Sequence, residues 1–132
     1  MNTFTRRLLK TTAITLLALA SHLASALDIK PYDETAFAAA QAEGKQSVLM
    51  FHANWCPTCK VQDKALEALK ADPALNDVVV FKANYDTATE LKTTHKVRAQ
   101  STFVVFKGKS EVSRATAITA ESAIKDLFKK TL

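Results

Sequence analysis

Cys56 and Cys59 stand with two residues between them in the run Trp55-Cys56-Pro57-Thr58-Cys59-Lys60. Two thiols at that spacing can open a disulfide with one sulfur and release the product with the other. The reaction needs a thiolate, and so a setting that favours charge on sulfur. The run lies between a short apolar stretch, Ser47 to His52, and an amphipathic one that begins at Pro57. Cys56 is thereby expected at the N-cap of a helix with Pro57 at N1, where a missing N–H costs nothing. Its sulfur then faces unpaired backbone donors and the positive helix end, which commonly brings a thiol from about 8.5 toward or below about 7. Cys59, one turn on, lies on the same side but inside the helix. The expected pair is asymmetric, an exposed attacker and a shielded resolver.

Other uses of the two cysteines are weaker. A structural disulfide would close so short a loop that it removes little unfolded-state entropy. Half of a zinc site needs two more ligands, for which His52 and His95 are the soft candidates. Covalent haem attachment requires His after the second Cys, and Lys60 stands there. His52 shares strand parity with Met50 and precedes Cys56 by four residues, so it either packs at the strand end or moves protons for the thiols, since His titrates near neutral pH. His95, beside Lys96, reads as solvated. Lys82, inside an apolar strand, reads as a snorkelling edge residue.

The elements around the thiols follow from periodicity and punctuation. Asp33 can cap a helix through Phe37 and Ala40 to Glu43, stopped by Gly44. Ser47 to His52 is a strand covered on both faces. A second helix runs from Pro57 to about Ala71 with Val61, Ala65 and Leu69 on its apolar face, ended by Asp72-Pro73. Val78 to Phe81 is the strongest strand signal. Thr87-Ala88-Thr89-Glu90 reads as a capping box opening a third helix to about His95. Thr102 to Phe106 and Glu111 to Ala115 flank a turn at Lys107-Gly108-Lys109-Ser110 and form a hairpin. Thr119 can cap a last helix with Ile124, Leu127 and Phe128 on one face. The order is βαβαβαββα, an α/β fold with a mixed central sheet flanked by helices.

At 132 residues, 48% hydrophobic and 23% charged, with 2 Gly and 3 Pro, the chain has globular composition and length for one domain with a real core. Its net charge of +5 is concentrated at the start, where Arg6, Arg7 and Lys10 stand without any Asp or Glu. The remainder mixes both signs, so the charge is no argument for a nucleic-acid partner. That basic head, an apolar stretch from Ala13 to Ala20 and the small residues Ala24-Ser25-Ala26 read as a cleavable export signal over residues 1–26, with residues 27–132 as the mature domain. The apolar stretch is too short to span a bilayer, which takes about 20 residues. Thr5-Arg6-Arg7-Leu8-Leu9-Lys10 also matches a twin-arginine signal loosely, which leaves the export route open.

The run Val48-Leu49-Met50-Phe51-His52-Ala53-Asn54-Trp55-Cys56-Pro57-Thr58-Cys59-Lys60, with Val80 to Asp86 and Val97 to Gly108, resembles the thioredoxin-like family. Within it, residues 27–132 are similar to exported thiol:disulfide oxidoreductases, including the soluble C-terminal domain of transmembrane thiol:disulfide interchange proteins. The resemblance implies a thioredoxin fold, Cys56 as nucleophile, Cys59 as resolving thiol and Trp55 as a surface contact for substrate. It also implies that Lys82 sits near the buried active-site face. The chain departs from the family twice. Met50 stands where the family has a buried acidic residue, and Ser101, followed by the expected Thr102, stands where it has a cis-proline facing the thiols. Ser101 and Thr102 are accordingly assigned to the substrate-binding loop. Because cis costs about 3 kcal/mol before a non-proline residue, the Gln100–Ser101 bond is expected to be trans.

These features predict an exported protein-disulfide reductase, most naturally of a bacterial periplasm, that carries its electrons on sulfur and needs no bound cofactor. In an oxidising compartment it would stay oxidised unless re-reduced, which implies a membrane thiol-reductant transporter. Its partners would be disulfide-containing clients, with cytochrome c maturation proteins suggested by resemblance. The resemblance also argues against a dedicated oxidant, since the oxidase branch of that fold usually carries a large helical insertion and no stretch here is long enough to hold one. The alternative is a non-catalytic Cu(I) or zinc module built on the same cysteines with His52 or Ser101. An interaction module with a vestigial disulfide ranks below both.

Overall fold

The computed structural model describes residues 27–130; the expected leader over residues 1–26 lies outside the described residues. Along the chain run β1 (Asp28–Pro31), α1 (Glu34–Ala42), β2 (Gln46–His52), α2 (Pro57–Leu69), a 3₁₀ turn (Pro73–Leu75), β3 (Val78–Asn84), α3 (Thr89–Thr94), β4 (Thr102–Lys107), β5 (Ser110–Thr116) and α4 (Glu121–Lys129). The strands form one mixed sheet in the order β1-β3-β2-β4-β5. Parallel pairing of β1 with β3 and β3 with β2 gives way to antiparallel pairing of β2 with β4 and β4 with β5. The expected element order is thus observed, and no helix among the described residues is long and apolar enough to cross a membrane.

Strand β2 lies at the centre of the sheet and is buried along its whole length, which is why Ser47 to His52 reads as a nearly continuous apolar run. Alternation sends its side chains to two cores. Val48 and Met50 join Leu66, Leu69, Phe103, Ile124 and Phe128 under α2 and α4. Leu49 and Phe51 join Phe37, Phe81, Val104 and Phe106 under α1. Phe37 packs edge-on against both Phe81 and Phe106, with ring centroids 5.4 and 5.5 Å apart, and each buried Phe contributes on the order of 2 kcal/mol. By parity His52 leaves the sheet on the α2 face.

Several local readings hold. Asp33 caps α1 by accepting the Ala36 N–H at 2.8 Å. The hairpin closes with Lys107 opposite Ser110, and Gly108 adopts φ +56 in a position where an added Cβ would stand 3.4 Å from the Gln41 carbonyl. Three details differ. In α2 the buried face is Cys59, Gln62, Ala65, Leu66 and Leu69, while Val61 is 47% exposed. The helix is rotated so that its polar Gln62 faces inward, and both cysteines lie under the loop at Ser101. The box at Thr87 does not form: the N-cap is Ala88, because Thr87 and Ala88 both donate their N–H groups to the Asn84 carbonyl in the preceding turn. Helix α4 likewise begins one residue late, with Ala120 rather than Thr119 at its N-cap.

Candidate active site

The β2–α2 junction aims the cysteines. Cys56 is the N-cap of α2, in extended conformation with Pro57 following, and its sulfur accepts the Cys59 backbone N–H at 3.2 Å. Both cysteines are free thiols. The expectation of an exposed attacker is corrected: Cys56 is 2% exposed and Cys59 fully buried. Ser101 covers them. Its hydroxyl lies 3.1 Å from Cys56 Sγ and 3.2 Å from Cys59 Sγ, bridging the two sulfurs.

The electrostatic asymmetry nevertheless follows the expected direction. For Cys56, burial works against the thiolate, but hydrogen bonds from the Cys59 thiol, the Ser101 hydroxyl and the Cys59 and Thr58 backbone outweigh it, so its pKa is lowered. For Cys59, burial leads and the hydrogen bond given to Cys56 adds to it, so its pKa is raised. The first proton to leave the pair comes from Cys56.

Residues 28–130 match the family model described as thioredoxin. The chain belongs to the thioredoxin family. A thioredoxin of Coprinus comatus is 29% identical over 89 residues, 67% of this chain and 83% of that protein. Thioredoxin H2-1 of Oryza sativa subsp. japonica is 32% identical over 88 residues, 67% of this chain and 59% of that one. Among solved structures, Trxlp from Edwardsiella tarda EIB202 aligns with a TM-score of 0.73 at 38% identity, covering 76% of this chain and 98% of its own. Thioredoxin from Malassezia sympodialis, at 22% identity, 80% of this chain, 92% of its own and a TM-score of 0.66, shares the fold. The protein is therefore a thioredoxin-like oxidoreductase with a nearby pair of cysteines, from a family that acts on disulfide-containing substrates.

Within this thioredoxin fold the two departures from the family take concrete form. No peptide bond among the described residues is cis, so Gln100–Ser101 is trans as expected, and Ser101 adopts φ +60, a left-handed conformation uncommon outside glycine. Its backbone groups are both engaged. The N–H donates to the Phe51 carbonyl at 2.8 Å, and the carbonyl accepts from the Ala117 N–H at 2.9 Å and the Gln62 side-chain amide at 3.0 Å. Thr102 is buried, and its hydroxyl donates to the Ala99 carbonyl and meets Thr116 Oγ1, each at 2.8 Å. That hydroxyl holds the loop and the hairpin together and does not face the sulfurs.

Met50 is fully buried and pairs in register with Lys82. On this face of the sheet an acid comes from the helix. Asp63 on α2 accepts from Lys82 Nζ at 2.6 Å and from His52 Nε2 at 2.9 Å. Lys82 is therefore no edge residue: β3 lies between β1 and β2, and the ammonium reaches inward to α2. His52, Lys82, Asn54, Ala83 and Asn84 line a cleft of about 260 Å³ at the C-terminal ends of β2 and β3. Sequence reasoning missed Asp63, although its position four residues after Cys59 on a helix was the available signal. It also missed Gln62, which an apolar-face reading passes over.

Trp55 is 59% exposed beside Cys56, and its indole N–H donates to Asp86 at 3.0 Å. His95 lies away from the thiols. Its ring packs edge-on against Phe106 and Phe37, with centroids 5.3 and 6.3 Å apart, which corrects the reading of a solvated side chain. It borders a groove of about 940 Å³ between α1 and α3 that contains neither cysteine. With His52 tied to Asp63 and His95 packed elsewhere, no three His, Cys, Asp or Glu side chains gather to hold a metal among the described residues.

Proposed function

We propose that this protein is an exported protein-disulfide reductase in which Cys56 attacks and Cys59 resolves. The observation that carries the reading is the Cys56 sulfur at the N-cap of α2, supplied with hydrogen-bond donors by Cys59 and Ser101 while its partner thiol stays protonated. The Cys56 thiolate attacks one sulfur of a client disulfide; a new S–S bond forms, the client bond breaks, and the departing client thiolate takes a proton. Cys59 then loses its proton and attacks Cys56 Sγ, which forms the Cys56–Cys59 disulfide and releases the second client thiol. The client disulfide gains two electrons and two protons, and the protein dithiol loses them.

The proton that buried Cys59 gives up passes, in this reading, to the His52–Asp63 pair, since Asp63 lies one helical turn beyond Cys59 and the pair borders a solvent cleft. Trp55 and the loop at Ser101 are the client-facing surface. Export rests on the leader-like residues 1–26, and an oxidising compartment such as a bacterial periplasm would call for re-reduction by a membrane thiol-reductant transporter. Cytochrome c maturation proteins are the client class suggested by sequence resemblance.

Insulin reduction by the pre-reduced protein tests the activity. Turnover by the parent, none by Cys56→Ser, and trapped mixed disulfides in Cys59→Ser are expected; a parent that leaves insulin intact overturns the reading. N-terminal mass analysis of protein recovered from a periplasmic extract tests export, and a retained residue 1 would reject signal cleavage.

A further inference from the structure

We propose that Gln62 is a positioning residue for the dithiol: its buried amide locks Ser101 in the left-handed conformation that lays the hydroxyl across both sulfurs. Gln62 Nε2 donates to the Ser101 carbonyl at 3.0 Å and to the Ile118 carbonyl at 2.9 Å, joining the two segments that flank the open end of the β4–β5 hairpin. Those segments are held in uncommon geometry. Ser101 has φ +60, Ala117 has φ +61, and the Ala117 N–H donates to the Ser101 carbonyl at 2.9 Å. Neither residue is glycine, so each left-handed conformation persists only because its surroundings impose it.

Packing alone does not explain Gln62. It is fully buried, and its Oε1 has no hydrogen-bond partner. A half-satisfied buried amide is a poor filler, since an apolar side chain of similar volume would leave no orphaned oxygen. Exchanging the amide's oxygen and nitrogen would set Oε1 against two carbonyl oxygens, so the donor assignment stands. What the side chain achieves with its two donors is a cross-tie behind Ser101. Gln62 lies one turn beyond Cys59 on the same helix, so the element that carries the thiols also fixes the hydroxyl above them.

In turnover, which rests on the reductase reading, the hydroxyl donates to whichever sulfur is anionic, first attacking Cys56 and later resolving Cys59. The groups facing Cys56 are Cys59 and the backbone N–H groups of Thr58 and Cys59 on α2, and Ser101 from the loop. Asp63 bonds to Lys82 and His52 instead.

The test is the pH profile of iodoacetamide labelling at Cys56 in the reduced full chain, resolved from Cys59 by peptide mass. Ser101→Gly keeps the backbone conformation and removes the hydroxyl, and should raise the Cys56 midpoint by about one pH unit, the effect of one hydrogen bond to a charged group. Gln62→Met should raise it by a similar amount although Gln62 touches neither sulfur, and the double variant should shift no further than either single one. An unmoved midpoint in folded Gln62→Met, or shifts that simply add, would overturn the proposal. If Gln62→Met does not fold, Gln62→Asn, whose amide is drawn back by one methylene, is read by the same two outcomes. Insulin reduction is scored separately. Coupled midpoints without insulin turnover would uphold the positioning role and remove the reductase reading, and turnover without coupling would do the reverse.

Discussion

Asp63 and Lys82 meet at 2.6 Å between helix α2 and the interior strand β3, on the face of the sheet where Met50 leaves no acid of its own. The carboxylate also takes the His52 Nε2 at 2.9 Å, so one acidic side chain ties the thiol-bearing helix to two adjacent strands. Replacing it leaves a half-buried ammonium without its counter-charge. Asp63→Asn should therefore lose about 1 kcal/mol, a modest figure because both partners keep some solvent, and Asp63→Asn with Lys82→Met should recover part of it. Urea unfolding of the three proteins checks this; losses that add would mean the two side chains are not coupled.

The loop over the thiols should reject the proline that the family places there. Proline holds φ near −65° and has no N–H, whereas Ser101 sits at φ +60 and donates to Phe51. Ser101→Pro should cost about 3 kcal/mol or more of stability, with Ser101→Gly well tolerated by comparison. Thermal unfolding of the two variants decides it. Equal melting temperatures would show that the loop rebuilds at little cost, and would reopen a direct comparison of insulin reduction between Ser101 and proline.

Trp55 should matter to large clients and hardly to the fold. Its ring is largely in water, and its indole N–H donates to the exposed Asp86. Trp55→Ala should raise KM for a protein disulfide by about tenfold, the usual effect of truncating a contacting tryptophan, while changing stability by less than about 0.5 kcal/mol. Parallel kinetics with a small-molecule disulfide provide the control. An equal loss on both substrates would place Trp55 in the chemistry of the thiols and not in client contact.

His95 should make stability sensitive to mild acid. Burial against the rings of Phe37 and Phe106 disfavours the imidazolium, Glu111 opposes that and Arg114 reinforces it, and the folded-state pKa falls below the ordinary 6.5. The unfolded chain therefore takes up the proton first. The contribution is complete above 6.5 and is lost as pH falls through the depressed folded value. His95→Leu should flatten this acid-side loss, as read from melting temperatures at about pH 7 and pH 5. The same slope in parent and variant would assign the acid sensitivity to other groups.

The sequence by itself determined the order of elements, the buried centre of the sheet and the placement of Cys56 at a helix start, because each follows from neighbours along the chain. Apolar continuity marks β2, Pro57 marks N1 of α2, and the spacing of Ile124, Leu127 and Phe128 marks the inner face of α4. The asymmetry of the thiols was legible for the same reason: the donors at a helix N-terminus are local. Helix rotation and loop closure were not. Whether Val61 or Gln62 faces inward depends on what covers the helix, and here that cover is a loop some 40 residues away in sequence, whose Ser101 bridges the sulfurs. The partnership of Asp63 with Lys82 and His52 likewise exists only once a helix is laid across two strands. Hydrogen bonds and ion pairs between distant segments leave no periodic trace in a sequence, because any donor at the right point in space serves. Tertiary structure alone decided that this dithiol is roofed by a hydroxyl and that its helix is tied to β2 and β3 by a carboxylate.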